Sequence, residues 1–371
     1  MNSLLQLVTQ FGNILQTQMF PLLQEGIGEL NEEHRRVVSI LTLLQLDRFT
    51  QPKSGPGRRP ASRANMARAF VAKAVLGIPL TSVLRQRLVS DAVLRSLCGW
   101  QFAKDVPGKW TFSRALEEFS RSQLPQRVHE AIVKQAYEGR LVGHISRDAT
   151  AIEAREKAQP KPTIPTPPPS RKKNRTPEQM SRIERQALPE TTLVEMLQEL
   201  PRACDKGCKT NSKGSKQWWV GFKLHMDVAD GEVPISCILT SASVHDSQVA
   251  IPLARMTADR VTSLYDLMDR GYESVHIEDY SRRLGHVPII DRQARAGAAP
   301  PMMAPHQRTR FRERTTVERA YSRLKDEFGG RFVRVRGHAK VMAHLMFGVI
   351  ALTVDQLLKL GATAPAASPP I

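Results

Sequence analysis

Asp148, Asp269 and Glu318 are three carboxylates whose places along the chain suit one chemistry. Asp148 closes the run Gly143–Asp148 and is followed by Ala149-Thr150, so it is expected at the end of a strand. Asp269 follows the strand-like run Ser263–Met268 and precedes Arg270-Gly271-Tyr272, which puts it on the rim where strand becomes turn. Glu318 lies within a basic segment of helical character, Arg314–Phe328. Strand ends and a facing helix can converge, and three carboxylates there make an oxygen-only site suited to Mg²⁺ or Mn²⁺. Two such ions roughly 3.5–4 Å apart activate an attacking oxygen and stabilise the leaving oxygen in phosphodiester cleavage. Each acid also has a plain structural role open to it: a cap for residues 149–156, a turn before Gly271, an ion pair between Glu318 and Arg314.

The surroundings favour the shared role. Residues Arg308–Lys340 carry eleven Lys and Arg against four Asp and Glu, so bare carboxylates there make sense if metal and phosphate both bind. Arg314 and Lys325 fall within about two turns of Glu318, where Arg can clamp phosphate oxygens bidentately and Lys acts as a point charge. Arg314, Lys325, Arg319 and Tyr272 are the expected DNA contacts. Asp266 competes with Asp269, but an odd spacing along a strand points the two to opposite faces, and the Gly-Tyr that follows favours Asp269. Asp227, Asp246 and Asp291 read as turn or strand-end residues.

Other chemistries lack their residues. Cys204 and Cys208 have no second pair at zinc-ligand spacing and read as free thiols in a polar loop. The ten histidines form no ligand pair on one helical face, and no glycine-rich phosphate loop is present. Trp218-Trp219 at a strand start reads as core and sheet edge before base-stacking platform.

The elements that must hold the acids divide the chain. Residues 1–138 have helical periodicity: a first region to about residue 50, a Pro/Gly/Arg-rich break at Gln51–Arg59, and helices from Ser62 onward. Ser90 or Asp91 suits the cap of one helix and Thr111 that of another. The Gly77-Ile78-Pro79 break suits a helix-turn-helix over about 62–98. Residues 139–155 hold the first strand of an α/β region. Within 156–190 lies a Pro/Lys/Arg-rich linker; residues 155–185 hold seven prolines and nine basic against three acidic residues. Residues 191–360 complete the α/β region. Trp218–Val228 and Pro234–Thr240 read as a hairpin about Asp230-Gly231, followed by alternating helix and strand and a closing apolar helix at Ala339–Leu360. A disordered tail is expected at 361–371.

The chain has 371 residues and a net charge of +18, which suits a polyanionic partner and two or three domains. Four cysteines do not make a disulfide framework. The longest nearly unbroken apolar run, Leu345–Val354 with one Thr in it, is about half of what a bilayer needs, and the first twenty residues lack the basic start of a secretory signal. A cytoplasmic protein, nucleoid-associated when bound to DNA, is expected.

The segment Phe311-x₂-Arg314-x₃-Glu318-x₆-Lys325 resembles the Tyr-x₂-Arg-x₃-Glu-x₆-Lys signature of insertion-sequence DDE transposases, with Phe where the signature has Tyr. Asp269-Arg-Gly-Tyr272 resembles the block that carries their second acid, and Asp148-Ala-Thr the block that carries the first. Lys223-Leu-His225 and the stretch Thr240–Asp246 are also similar to segments of such enzymes. The resemblance covers about residues 60–355. It implies an RNase H-like mixed sheet with flanking helices, preceded by an all-α DNA-binding domain. It further implies two Mg²⁺ or Mn²⁺ per active site held by Asp148, Asp269 and Glu318. The partners it implies are double-stranded DNA, as transposon ends and target, and a second copy of the chain in a synaptic complex. The 49 residues between Asp269 and Glu318 leave no room for a large insertion domain. The rival readings are a metal-dependent nuclease of the same fold and a degenerate transposase acting as a repressor.

Overall fold

The computed structural model describes residue 12 and residues 14–50, 60–160, 179–210, 214–292 and 302–363. The Gln51–Arg59 break, most of the Pro/Lys/Arg-rich linker and all but the first three residues of the expected tail lie outside the described residues. The chain divides into two compact units: residues 137–321 with 336–338, and residues 1–136 with 322–335 and 339–371.

The unit that carries the three acids is built on one sheet. Among the described residues its strands are β1 (Leu141–Glu153), β2 (Asp205–Thr210), β3 (Lys216–Ala229), β4 (Val233–Ser241), β5 (Thr262–Met268) and β6 (Val287–Ile290). β3 lies between β4 and β1 and is antiparallel to both, whereas β1, β5 and β6 run parallel. Read across, the order β4-β3-β1-β5-β6 is that of an RNase H-like mixed sheet, and β2 extends it beside the first half of β3.

β1 and β4 are sequences buried along most of their length, as a strand covered on both faces must be. The hairpin turn is longer than a two-residue loop, because Gly231 and Glu232 both take positive φ in the short turn Asp230–Glu232. The strand β2 departs from the expected loop. Cys204 is buried just before it, and Cys208 is exposed upon it.

Among the described residues the other unit begins with helices α1 (Phe20–Ile27), α2 (Glu32–Leu44), α3 (Arg63–Val75) and α4 (Thr81–Ser90). It continues with α5 (Ala92–Leu97), α6 (Lys109–Arg121) and α7 (Leu124–Tyr137). Ser62 and Asp91 cap α3 and α5 by accepting from Asn65 and Leu94 backbone N–H groups, while α6 starts two residues ahead of Thr111, on Gly108. Near the end of the expected linker lies helix α8 (Arg182–Gln186), and α9 (Leu193–Gln198) follows it, each closed by a Ser or Thr capping box.

Helices α10 (Ser247–Ala258) and α11 (Val275–Arg283) cover one face of the sheet through Ala250, Ile251, Ala254, Ile277 and Tyr280 against Met268 and Ile290. After α12 (Pro305–Phe311) and a 3₁₀ stretch at Arg312–Thr315, helix α13 (Thr316–Asp326) runs from the sheet unit into the helical one.

The last helix, α14 (His338–Thr363), extends beyond the expected Leu360 and belongs mainly to the helical unit, where Phe347 stacks on Phe70 at 5.4 Å. It is long and apolar enough to cross a membrane, unlike the ten-residue run within it. However, 83% of its most apolar window is buried inside the protein, as in a core helix.

Candidate active site

The ladder between β1 and β5 pairs Ser146 with Leu267 and Arg147 with Met268, where β5 ends. Asp148 and Asp269 are the next residues along each strand, and even spacing from Ser146 and Leu267 turns both to the same face. Asp148 is therefore not at the end of its strand, as the sequence suggested. β1 continues to Glu153 because β3 keeps pairing with it as far as Gly221, while its parallel neighbour stops. Asp148 is instead the first residue of β1 past the β1–β5 ladder. Asp269 begins the turn Arg270–Tyr272, its carboxylate accepting from the Gly271 N–H at 2.9 Å. Asp266 points away, buried, to accept from Ser281 at 2.7 Å on α11, as the odd spacing required.

The opposite face of the sheet carries the counterweight. Arg147, 1% exposed, donates twice to the buried Asp227 at 2.7 and 2.8 Å, and Thr257 of α10 donates to the same carboxylate. This bidentate pair locks β1 against β3 one residue before Asp148. Asp291 follows β6 and pairs with Arg270, a strand-end role as expected.

Glu318 reaches the site from α13. Tyr321, one turn later, is buried and its hydroxyl lies 2.7 Å from the carbonyl of Asp148 and 3.0 Å from that of Leu224. Ser146 donates to the carbonyl of Glu313 at 2.9 Å. These contacts hold the helix and the stretch before it over the face that carries Asp148. Glu318 itself is exposed and accepts from Arg314 at 2.7 Å, while the other guanidinium nitrogen lies 3.9 Å from Asp148. One guanidinium thus separates the first and third acids. Arg314 also lies 5.9 Å from the ring of Phe311, so the residue in the Tyr position keeps an aromatic contact.

Burial pushes the carboxyl of Asp148 up to about 6, and the charges of Asp269 and Asp246 push the same way against the Ala149 N–H and Lys209. Asp269 is raised too, by burial first and by Asp246. Two carboxylates that are costly to ionise together suit a cation, and their hard oxygen donors suit Mg²⁺ or Mn²⁺. Glu318, the third donor expected from the sequence, stands one guanidinium away. As placed, no three acidic, His or Cys side chains among the described residues stand close enough to hold a metal.

Two residues expected to contact DNA have other neighbours in the fold. Tyr272 is 1% exposed and packs with Ala250, Ile251 and Ile277, because the turn after Asp269 folds its ring into the core and away from solvent. Arg319 is exposed but turned toward the β3–β4 turn, where it donates to Glu232 at 2.5 Å and to Thr315 and Thr316. Lys325 is half-buried on the stretch of α13 that belongs to the helical unit, seven residues after Glu318 and on the same side of that helix.

Three side chains near the acids were not singled out from their positions. Asp246 precedes α10 and is a turn residue, but its charge also acts on Asp148, Asp269 and Tyr272. Lys223 of β3 donates to Asp246 at 2.9 Å and to the Val244 carbonyl at 2.8 Å. Lys209 of β2 acts on both aspartates. The only signal was the pair of blocks Lys223-Leu-His225 and Val244-His245-Asp246, whose spacing predicts no contact. Of the two tryptophans, Trp219 is buried over Gly207, while Trp218 is 65% exposed beside Cys208.

The family model described as Transposase DDE domain matches residues 148–354, more than half of the chain. The match begins at Asp148 and includes Asp269 and Glu318. No curated protein and no solved structure matches the chain at a significant level.

Proposed function

This chain belongs to the DDE transposase family, and from that premise we propose that it binds the terminal inverted repeats of an insertion sequence and cuts and rejoins DNA there. The observation that carries this reading is the ladder that ends at Arg147 and Met268 and sets Asp148 and Asp269 on one face, with Glu318 beside them across Arg314. Asp148, Asp269 and Glu318 would hold two Mg²⁺ or Mn²⁺. Held there, the ions would supply Lewis-acid charge to the attacking and leaving oxygens, first for hydrolysis at the element's end and then for attack by the freed 3′-OH on target DNA.

The chain's own residues do the positioning. Arg314 presents a planar fork to the phosphate beside the scissile bond, and Lys325 a point charge further along the backbone. Neither Ser nor His is needed as a nucleophile, because preorganised charge does the work. Helices α3 to α5 are the candidate end-binding elements, with the break after Gly77 as their turn. Both ends of an element must be held together, which calls for two copies of the chain in a synaptic complex.

Cleavage of a labelled linear duplex bearing the element's flanking ends tests this reading. Nicking at the element boundary in Mg²⁺ or Mn²⁺ and none in EDTA is the expected result. Binding without cleavage in either metal would overturn it in favour of a repressor. Transfer of the labelled end into plasmid separates joining from cutting alone. Asp269→Ala should abolish cleavage and leave end binding intact, and normal cleavage by that variant would mean that the second acid is elsewhere.

A further inference from the structure

Two blocks that the catalytic reading leaves without a role meet beside the acids. Lys223 and His225 share one face of β3, opposite Ala151 and Ala149 of β1, so they stand next to the strand that carries Asp148. Asp246 arrives from the start of α10. Its Oδ1 accepts from Lys223 at 2.9 Å, and Lys223 is tied down in turn by the Val244 carbonyl at 2.8 Å. The lysine therefore holds both the carboxylate and the loop that delivers it.

Asp246 is only 28% exposed, and it makes no capping bond to α10, so helix termination does not explain it. The imidazole behind it is fixed by hydrogen-bond logic. Thr240 donates its hydroxyl to the Ser241 carbonyl at 3.1 Å, so the same oxygen accepts from His225 Nε2 at 3.0 Å. The neutral ring then carries no proton on Nδ1. That bare acceptor is fully buried, has no partner, and lies 3.8 Å from Asp246 Oδ1. Lys223 serves the carboxylate, so it is the buried nitrogen that asks for a donor or a cation nearby. The Tyr272 hydroxyl is a second buried polar atom without a partner, and its acidic neighbours are Asp246, Asp148 and Asp269.

We propose that Asp246 is a fourth carboxylate of the divalent-cation site, with Lys223 as the positioning residue that holds it there. The proposal rests on the catalytic reading of Asp148 and Asp269 above. A salt bridge serving stability alone has no need to add negative charge beside two carboxylates that already oppose one another. Lys223 pairs with Asp246, whose charge still acts on the acids. This gives the Lys-Leu-His and Val-His-Asp blocks one shared purpose.

The test is Mn²⁺ binding to the full chain without DNA, read by the loss of the free-ion electron paramagnetic resonance signal. Asp246→Asn keeps an acceptor for Lys223 and should weaken binding about 10-fold, the scale at which residues supporting metal ligands act. Lys223→Met removes a positive charge, so electrostatics alone would tighten Mn²⁺ binding, whereas loss of positioning weakens it; weakening is expected. Wild-type affinity in Asp246→Asn overturns the proposal, and tighter binding in Lys223→Met overturns the positioning role. Asp148→Asn is the reference. If it also binds Mn²⁺ as the wild type does, the catalytic reading has failed; if it loses binding while Asp246→Asn does not, only the fourth carboxylate has.

Discussion

At the scale of single residues the site is a compromise between stability and charge. Asp148 is buried beside Asp269, and its carboxyl is pushed from the ordinary 3.8 up to about 6. The metal-free fold therefore binds this proton more tightly than the unfolded chain does. Its stabilising effect is complete below about pH 4 and is lost as pH rises through 6; above that, ionisation costs at most about 3 kcal/mol. Asp148→Asn keeps an acceptor for the Ala149 N–H but carries no charge. In EDTA at pH 7.5 it should melt higher than wild type, by the equivalent of about 1–3 kcal/mol, and the gain should vanish near pH 4. Mg²⁺ should raise the melting temperature of wild type and leave the variant unmoved. A variant that melts lower at pH 7.5 would show that the buried charge is not a burden. Asp269 and Glu318 stand where strand-end and helix patterns put them, whereas Asp148 lies inside β1. Asp246 was not legible in the sequence, since only the register of β3 and the path of the loop before α10 bring it to Lys223.

At the scale of elements, the third acid depends on how α13 is fastened. Tyr321 reaches two strand carbonyls, one of them that of Asp148, and so ties Glu318's helix to both central strands. Tyr321→Phe removes one buried hydroxyl and should cost about 1–2 kcal/mol. Because the lost bond lies one turn from Glu318, cleavage should fall by more than the loss of folded protein accounts for, with DNA binding kept. Equal losses in stability and cleavage would mean that Tyr321 serves the fold alone. The strands that build the site were readable where apolar residues dominate, as in β4. β2 was not, because Asp205-Lys-Gly-Cys-Lys-Thr has no apolar alternation and is held by pairing to β3. The extension of β1 past Asp148 escaped for a similar reason, since a neighbouring strand determines where that pairing ends.

At the scale of the molecule, a net charge of +18 coexists with acids at the point where the proposed function brings phosphate. The charge was legible from composition. The grouping of α14 with the N-terminal helices was not, because it rests on contacts such as Phe347 on Phe70 that no local pattern announces. The balance of the two signs has a measurable consequence. If the basic surplus serves the DNA backbone, binding to any duplex releases counterions, and affinity should fall about 10³-fold or more between 50 and 200 mM salt. End-bearing and random duplexes should fall in parallel, since phosphate contacts carry no sequence information. In EDTA the acids repel the same phosphates, so the doubly neutral variant Asp148→Asn with Asp269→Asn should bind a few-fold more tightly than wild type. Filter binding across a salt series, with both duplexes and both proteins, checks each part. A flat salt dependence would mean that the basic residues are spent on internal ion pairs, as Arg147 and Arg319 are. Unchanged affinity in the neutral variant would place the phosphate path away from Asp148 and Asp269, and with it the site of cleavage.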